Sequence, residues 1–164
     1  MPHTPREPVE PNPFSDDELR VWRGFLALHR IVTGELSHRL EREHGLTLVH
    51  YGVLITLVTV PDRRLRMTDL AERVLLSPSG MTRAVAWLAD RGLVERERDP
   101  GDGRSFIVSL TPDGLRRLRE AQVTHHACVR ELLLDAAGPG ELGRLAAFFE
   151  RARPDHHGNG GWTI

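Results

Sequence analysis

Lysine is absent from this chain. All 22 basic side chains among its 164 residues are arginines, set against 23 acidic ones, so the formal net charge is -1 and the sequence pI lies near 6.8. That balance excludes a chain that is basic throughout, and any surface for nucleic acid has to be local. Each basic contact would, however, be a planar fork suited to phosphate or guanine. Cysteine is nearly absent too: Cys128 stands alone, which rules out an internal disulfide and a Cys-rich zinc site and fits a reducing, cytoplasmic setting. No apolar run approaches the roughly 20 residues needed to span a bilayer, so no membrane association is expected. A Gly-rich phosphate loop, a nucleophile elbow and a paired metal motif are all missing. Neither an enzyme, a cofactor nor a metal site is expected on those grounds. The first residues, "MPHTPREPVEPNPF", are Pro-rich and polar without an apolar signal core, which predicts a disordered arm over 1–14, and a flexible tail is expected over 154–164.

What is present is mostly helical periodicity. Ser15 with Glu18 three residues later forms a capping-box pattern, and Trp22, Phe25, Leu26, His29, Val32, Leu36 and Leu40 follow at spacings of three and four, predicting a long helix from about 16 to 43. Thr47 opens the next helix, with Leu46 and Tyr51 placed for a hydrophobic staple, and Pro61 stops it. After a basic turn, "PDRRLRM", Thr68 is placed to cap a short helix carrying Leu70, Ala71, Val74 and Leu75. Ser77 and Pro78 then open another, in which Met81, Ala84, Val85 and Leu88 share one side and Ser79, Thr82, Arg83, Ala86 and Asp90 the other. Two short helices joined at "LLSPS" have helix-turn-helix spacing.

Gly92 ends that helix. "LVERER" and "SFIVSL" alternate as strands around the turn formers "DPGDGR", which makes a basic-tipped wing. Thr111 and Pro112 start a fifth helix with a seam of Leu115, Leu118, Gln122, His125, Val129 and Leu132. Gly138, Pro139 and Gly140 precede a sixth, with Leu142, Leu145, Phe149 and Ala152 on one face. The expected fold is therefore mainly α with a small β wing. A winged unit at about 46–110 would be flanked by dimerisation helices at about 15–44 and 112–153, because a compact winged unit cannot cover the apolar helices at both chain ends.

The segments "MTDLAERVLLSPSGMTRAVAWLADRGLVERERDPGDGR" and "VSLTPDG", in this order, resemble the multiple-antibiotic-resistance regulator (MarR) family of winged-helix transcription factors, over about 15–153. The resemblance implies a homodimer on a pseudo-palindromic operator, usually a repressor, relieved by a small aromatic or phenolic ligand. Related sequences commonly carry Asp then Arg where this chain has Ala86 and Trp87, so the operator preference of relatives does not carry over.

For DNA, the expected contacts are Ser77, Ser79, Gly80 and Thr82 at the N-terminal end of the helix, with Arg83 the principal reader of guanine. At the wing they are Arg98 and Arg104, with Asp102 holding an arginine in a useful rotamer. Trp87 is expected to pack against a neighbouring helix or the wing base. For a ligand, Trp22, His29, Gln122 and His125 are the candidates: a stacking indole and imidazoles beside a polar break in two apolar seams. Competing readings are packing of these four at a dimer interface, a helical protein-interaction module without DNA binding, and a metal- or redox-responsive regulator using the nine histidines or Cys128. No His pair near Cys128 has the i, i+4 spacing that shares a metal, and Cys128 is expected to be a buried, inert thiol.

Overall fold

The computed structural model describes residues 13–152. The expected tail, and all of the expected arm but residues 13 and 14, lie outside them. Helix α1 runs Asp16–His44, α2 Leu48–Val58, α3 Met67–Val74, α4 Pro78–Asp90, α5 Pro112–Val129 and α6 Glu141–Ala152. Strands β1 (Arg64–Arg66), β2 (Val94–Asp99) and β3 (Asp102–Leu110) form an antiparallel sheet in the order β1-β3-β2. The fold is mainly α with a small wing.

Caps set most boundaries. Ser15 and Glu18 form the capping box of α1, and Gly45 ends that helix in the left-handed region at φ 65°, where only glycine escapes a steric cost. Thr47 and His50 form a second reciprocal box: Thr47 Oγ1 accepts from the His50 amide, and the Thr47 amide donates to His50 Nδ1. Leu46 and Tyr51, the staple pair, are both buried.

Two expectations need correction here. Thr68 does not cap α3; the N-cap position falls on Arg66, which supplies no side-chain bond, because "RLR" is a third strand that runs straight into the helix. On α5 the buried line is Gly114, Leu118, Ala121, His125 and Cys128, so Leu115, Gln122 and Val129 lie one position to its side and only half-buried.

The core lies between α2, α3, α4 and the inner face of the wing, with Leu54, Leu57, Leu70, Met81, Val85, Leu88 and Val108 fully buried. Helix α5 joins it through Leu118 and Ala121. Its start is pinned by Thr111, whose hydroxyl donates to the Gly92 carbonyl (2.7 Å) and accepts from the Gly114 amide (2.9 Å). Further along, Arg39 of α1 grips Glu131 through both Nη atoms at 2.8 and 3.2 Å.

Outside this core the first half of α1 exposes Val21, Trp22, Phe25, Leu26 and Ile31, and α6 exposes Leu142, Leu145, Phe148 and Phe149. Helix α6 buries no residue at all in the single chain.

Candidate nucleic-acid interface

Helix α4 is positioned by its apolar side. Met81, Ala84, Val85 and Leu88 are buried against α2 and α3, which forces Ser79, Thr82, Arg83, Ala86 and Asp90 outward, all exposed. The turn from α3 is closed by the Leu76 amide donating to the Ala71 carbonyl (2.9 Å), with Leu75 held at φ 57°. Ser77 Oγ then accepts from the Gly80 amide (3.2 Å) and lies 3.3 Å from Ser79 Oγ. Thr82 donates its hydroxyl hydrogen to the Pro78 carbonyl (2.9 Å), which leaves its oxygen free to accept. The N-terminal end of α4 is thus small, polar and capped: Pro78 carries no amide hydrogen and the Gly80 and Met81 amides are bonded to Ser77, which leaves the Ser79 amide to meet an anion. Arg83 stands one turn in and takes part in none of the ion pairs found among the described residues.

Trp87, expected to pack, lies between two partners. Its indole stacks on His50 of α2, ring centres 4.0 Å apart, and the Arg91 guanidinium sits 3.7 Å from the indole centre. Burial, with the Arg91 charge adding to it, holds the His50 pKa below the usual imidazole value.

In the wing, Val94, Arg96 and Arg98 of β2 face Leu110, Val108 and Phe106 of β3, with a bulge at Arg98/Asp99. The Arg96 guanidinium lies 3.5 Å from the Phe106 ring centre, while Arg98 donates through Nη1 to the Gly103 carbonyl (3.1 Å) across the turn. Arg104 lies on β3, and Asp102 is exposed at its start. A wing carboxylate that was not among the expected contacts grips an arginine. Asp99, nearly buried, accepts from Arg66 Nε (2.8 Å), the Gly101 amide (2.8 Å) and Ser105 Oγ (3.3 Å). The Gly101 amide first, and then Arg66, hold its pKa below the usual carboxylate range. Nothing in "DPGDGR" told the two acids apart, because only the bulge turns Asp99 inward.

The four ligand candidates separate into two groups. Trp22 stacks on Phe25 (6.0 Å) and Phe25 lies 6.2 Å from His29, a ladder on the exposed half of α1. Gln122 and His125 lie on α5, where buried His125 stacks on Tyr51 of α2 with ring centres 4.6 Å apart. Tyr51 was read as core only. Its hydroxyl and His125 Nδ1 are both buried with no hydrogen-bond partner. Burial pushes the Tyr51 phenol up to about 12 and His125 down. Cys128 is buried, and burial raises its thiol pKa.

Two short helices at a tight turn, the second with an outward polar face, followed at once by a hairpin with arginines near its tip, define a winged helix-turn-helix protein. A family model described as "MarR family" matches residues 44–105. The uncharacterised HTH-type transcriptional regulator ML2140 of Mycobacterium leprae is 38% identical over 65 residues, covering 40% of this chain and 46% of that protein. The crystal structure of AbsC, a MarR family transcriptional regulator from Streptomyces coelicolor, is 30% identical with a TM-score of 0.78, covering 87% of this chain and 95% of that one. Sco3205 from the same organism, a MarR family regulator solved in complex with DNA, is 31% identical with a TM-score of 0.80, covering 89% and 94%. The chain belongs to the MarR family of transcriptional regulators.

Proposed function

We propose that the chain is a sequence-specific DNA-binding repressor that acts as a homodimer on a pseudo-palindromic operator and is released by a small aromatic or phenolic effector. The observation that carries the DNA reading is the outer face of α4. Ser77, Ser79 and Thr82 at its capped end and Arg83 behind them form an exposed polar surface, with Gly80 half-buried among them. A base edge meets Arg83 there, and phosphates meet the helix end and the wing residues Arg98 and Arg104, with Asp102 beside them. Sco3205, of similar fold, was solved with DNA, which supports the same use here.

The dimer reading is supported by the exposed apolar residues of α1 and α6, which a second copy would cover. Dimerisation through about 15–44 and 112–153 would leave the winged unit, about 46–110, to address one half-site per protomer. Successive major grooves then require the two α4 helices about 34 Å apart.

The effector reading is supported by Tyr51 Oη and His125 Nδ1, two buried polar atoms that lack partners beside half-buried Gln122. A phenol or carboxylate would supply both bonds. Trp22 and His29 join that site only if the second protomer brings its α1 across. A ligand that binds better to a dimer with another α4 spacing lowers DNA affinity by population shift.

The test is selection of duplexes from a random-sequence pool, followed by titration at several salt concentrations. Two half-sites one helical turn apart are expected, with affinity that falls steeply with salt. Arg83→Ala is expected to cost about 1–3 kcal/mol and to relax one base pair per half-site. A folded dimer that enriches no sequence would sink this reading.

A further inference from the structure

The wing is supported unevenly along its length. Strand β1 pairs with β3 only at Ile107, Val108 and Ser109, ending at Arg66 opposite Ile107. Beyond that point, from the Arg98–Phe106 pair outward, the wing is a two-stranded ribbon carrying the bulge and the turn. Such a ribbon twists and bends readily when nothing holds it.

The Arg66 side chain continues where β1 stops. Its Nε reaches Asp99 Oδ2 at 2.8 Å, while Oδ1 of the same carboxylate accepts from the Gly101 amide. Ser105 Oγ donates to Oδ2 from the returning strand (3.3 Å) and also lies 3.1 Å from the Asp102 carbonyl. One buried carboxylate therefore gathers three segments: the wing turn, the strand that leaves it, and Arg66. Arg66 is also the N-cap residue of α3, the first helix of the helix-turn-helix, and gives that helix no side-chain cap.

A turn alone does not need this. An Asn or Ser at 99 would accept from the Gly101 amide equally well, without the cost of placing a carboxylate out of water. The ion pair with Arg66 is surplus to the turn and links it to the helix-turn-helix.

We propose that Asp99 and Arg66 form a clamp that fixes the wing tip relative to α3 and α4, so that the wing arginines and α4 meet the same duplex in register. Both are positioning residues: the clamp engages Arg66 with Asp99 and withdraws it from the DNA contacts. The inference rests on the DNA-binding reading above.

Three variants separate the roles. Arg66→Gln removes the tether at a half-exposed side chain, where folding tolerates the change. Asp99→Asn keeps a turn acceptor and loses the ion pair, and the double variant tests whether the two act as one. On a duplex selected by the unaltered protein, each single variant is expected to bind about tenfold more weakly, with a salt slope smaller in magnitude by about one to two. The double variant is expected to be no worse than either. On a duplex shortened to end before the wing, all four proteins are expected to bind alike. A purely structural role would leave the deficit in place there. Arg66→Gln with unaltered affinity and salt slope on the long duplex overturns the clamp while leaving the DNA reading intact, and failure of the unaltered protein to select any duplex overturns both.

Discussion

The imidazole of His50 lies flat against the indole of Trp87, ring centres 4.0 Å apart and planes 12° from parallel. His50 belongs to the first turn of α2 and Trp87 to α4, so this stack fastens α4 to α2 from its flank. The next residue along, Tyr51, makes the matching contact on the other side with His125 of α5. Two consecutive side chains of α2 therefore touch the helix assigned to DNA and the helix assigned to the effector.

Trp87→Ala is expected to cost about 2–3 kcal/mol, below the loss at a fully enclosed aromatic because the indole is half-buried. His50→Ala removes the stack and the Nδ1 that accepts from the Thr47 amide, while Thr47 Oγ1 keeps its bond from the backbone amide of residue 50, for about 1–2 kcal/mol. Urea unfolding of both variants and their double will measure the coupling. About 0.5–1.5 kcal/mol of non-additivity is expected, and strict additivity would mean that the rings merely lie side by side.

How much of this was legible in the sequence depended on whether a signal was local. Ser77, Pro78 and the spacing of Met81, Val85 and Leu88 lie within one short helix, and they placed its two faces correctly. Strand β1 was missed because "RLR" is three residues long and acquires its partners from Ile107 to Ser109, some forty positions later. The seam of α5 is right at Leu118 and His125, which are buried, and one residue off elsewhere. Leu115, Gln122 and Val129 do form an apolar-polar line, but the neighbours that decide burial come from α1 and α2, and they select Ala121 and Cys128 instead. Asp99 carries no local signal of its role, because a bulge, not a composition, turns it inward.

Gly114 is required where α5 meets the end of the helix-turn-helix. A Cβ there would fall 2.0 Å from the Leu93 carbonyl oxygen and 2.8 Å from Leu110 Cδ1. The oxygen belongs to backbone that also accepts from the Thr111 amide, so it cannot step aside without loosening that bond. Gly114→Ala is expected to destabilise by about 2–3 kcal/mol despite alanine's better helix propensity. A melting temperature equal to that of the unaltered protein would contradict the packing.

The exposed apolar faces of α1 and α6 make the proposed dimer testable without DNA. Phe25 and Phe149 are about half exposed in the single chain, at 48% and 53%. Phe25→Glu and Phe149→Glu are each expected to shift the protein from dimer to monomer in sedimentation at micromolar concentration. Were Phe25 and Phe149 ordinary surface residues, the assembly state would not change, since isolated surface substitutions alter little.

Tyr51, His125 and His50 each add a pH-dependent part to stability. Burial lowers the pKa of both His125 and His50, so the folded chain binds fewer protons than the unfolded one in mild acid. Their contribution is complete above the unfolded imidazole value of about 6.5 and is lost as pH falls through the lower folded values. Tyr51 has the opposite sign: its phenol is raised to about 12, so its contribution is present below the unfolded value of about 10 and is lost as pH rises from there. Stability from these three groups is therefore level between about 6.5 and 10 and falls on both sides. Two variants isolate the stacked pair Tyr51 and His125. His125→Phe keeps a ring against Tyr51 and is expected to shrink the acid limb. Tyr51→Phe removes a buried hydroxyl without a partner and is expected to gain about 1 kcal/mol near neutral pH. A loss of that size instead would mean that the hydroxyl is already bonded in the free protein, and the effector would then have to bind elsewhere.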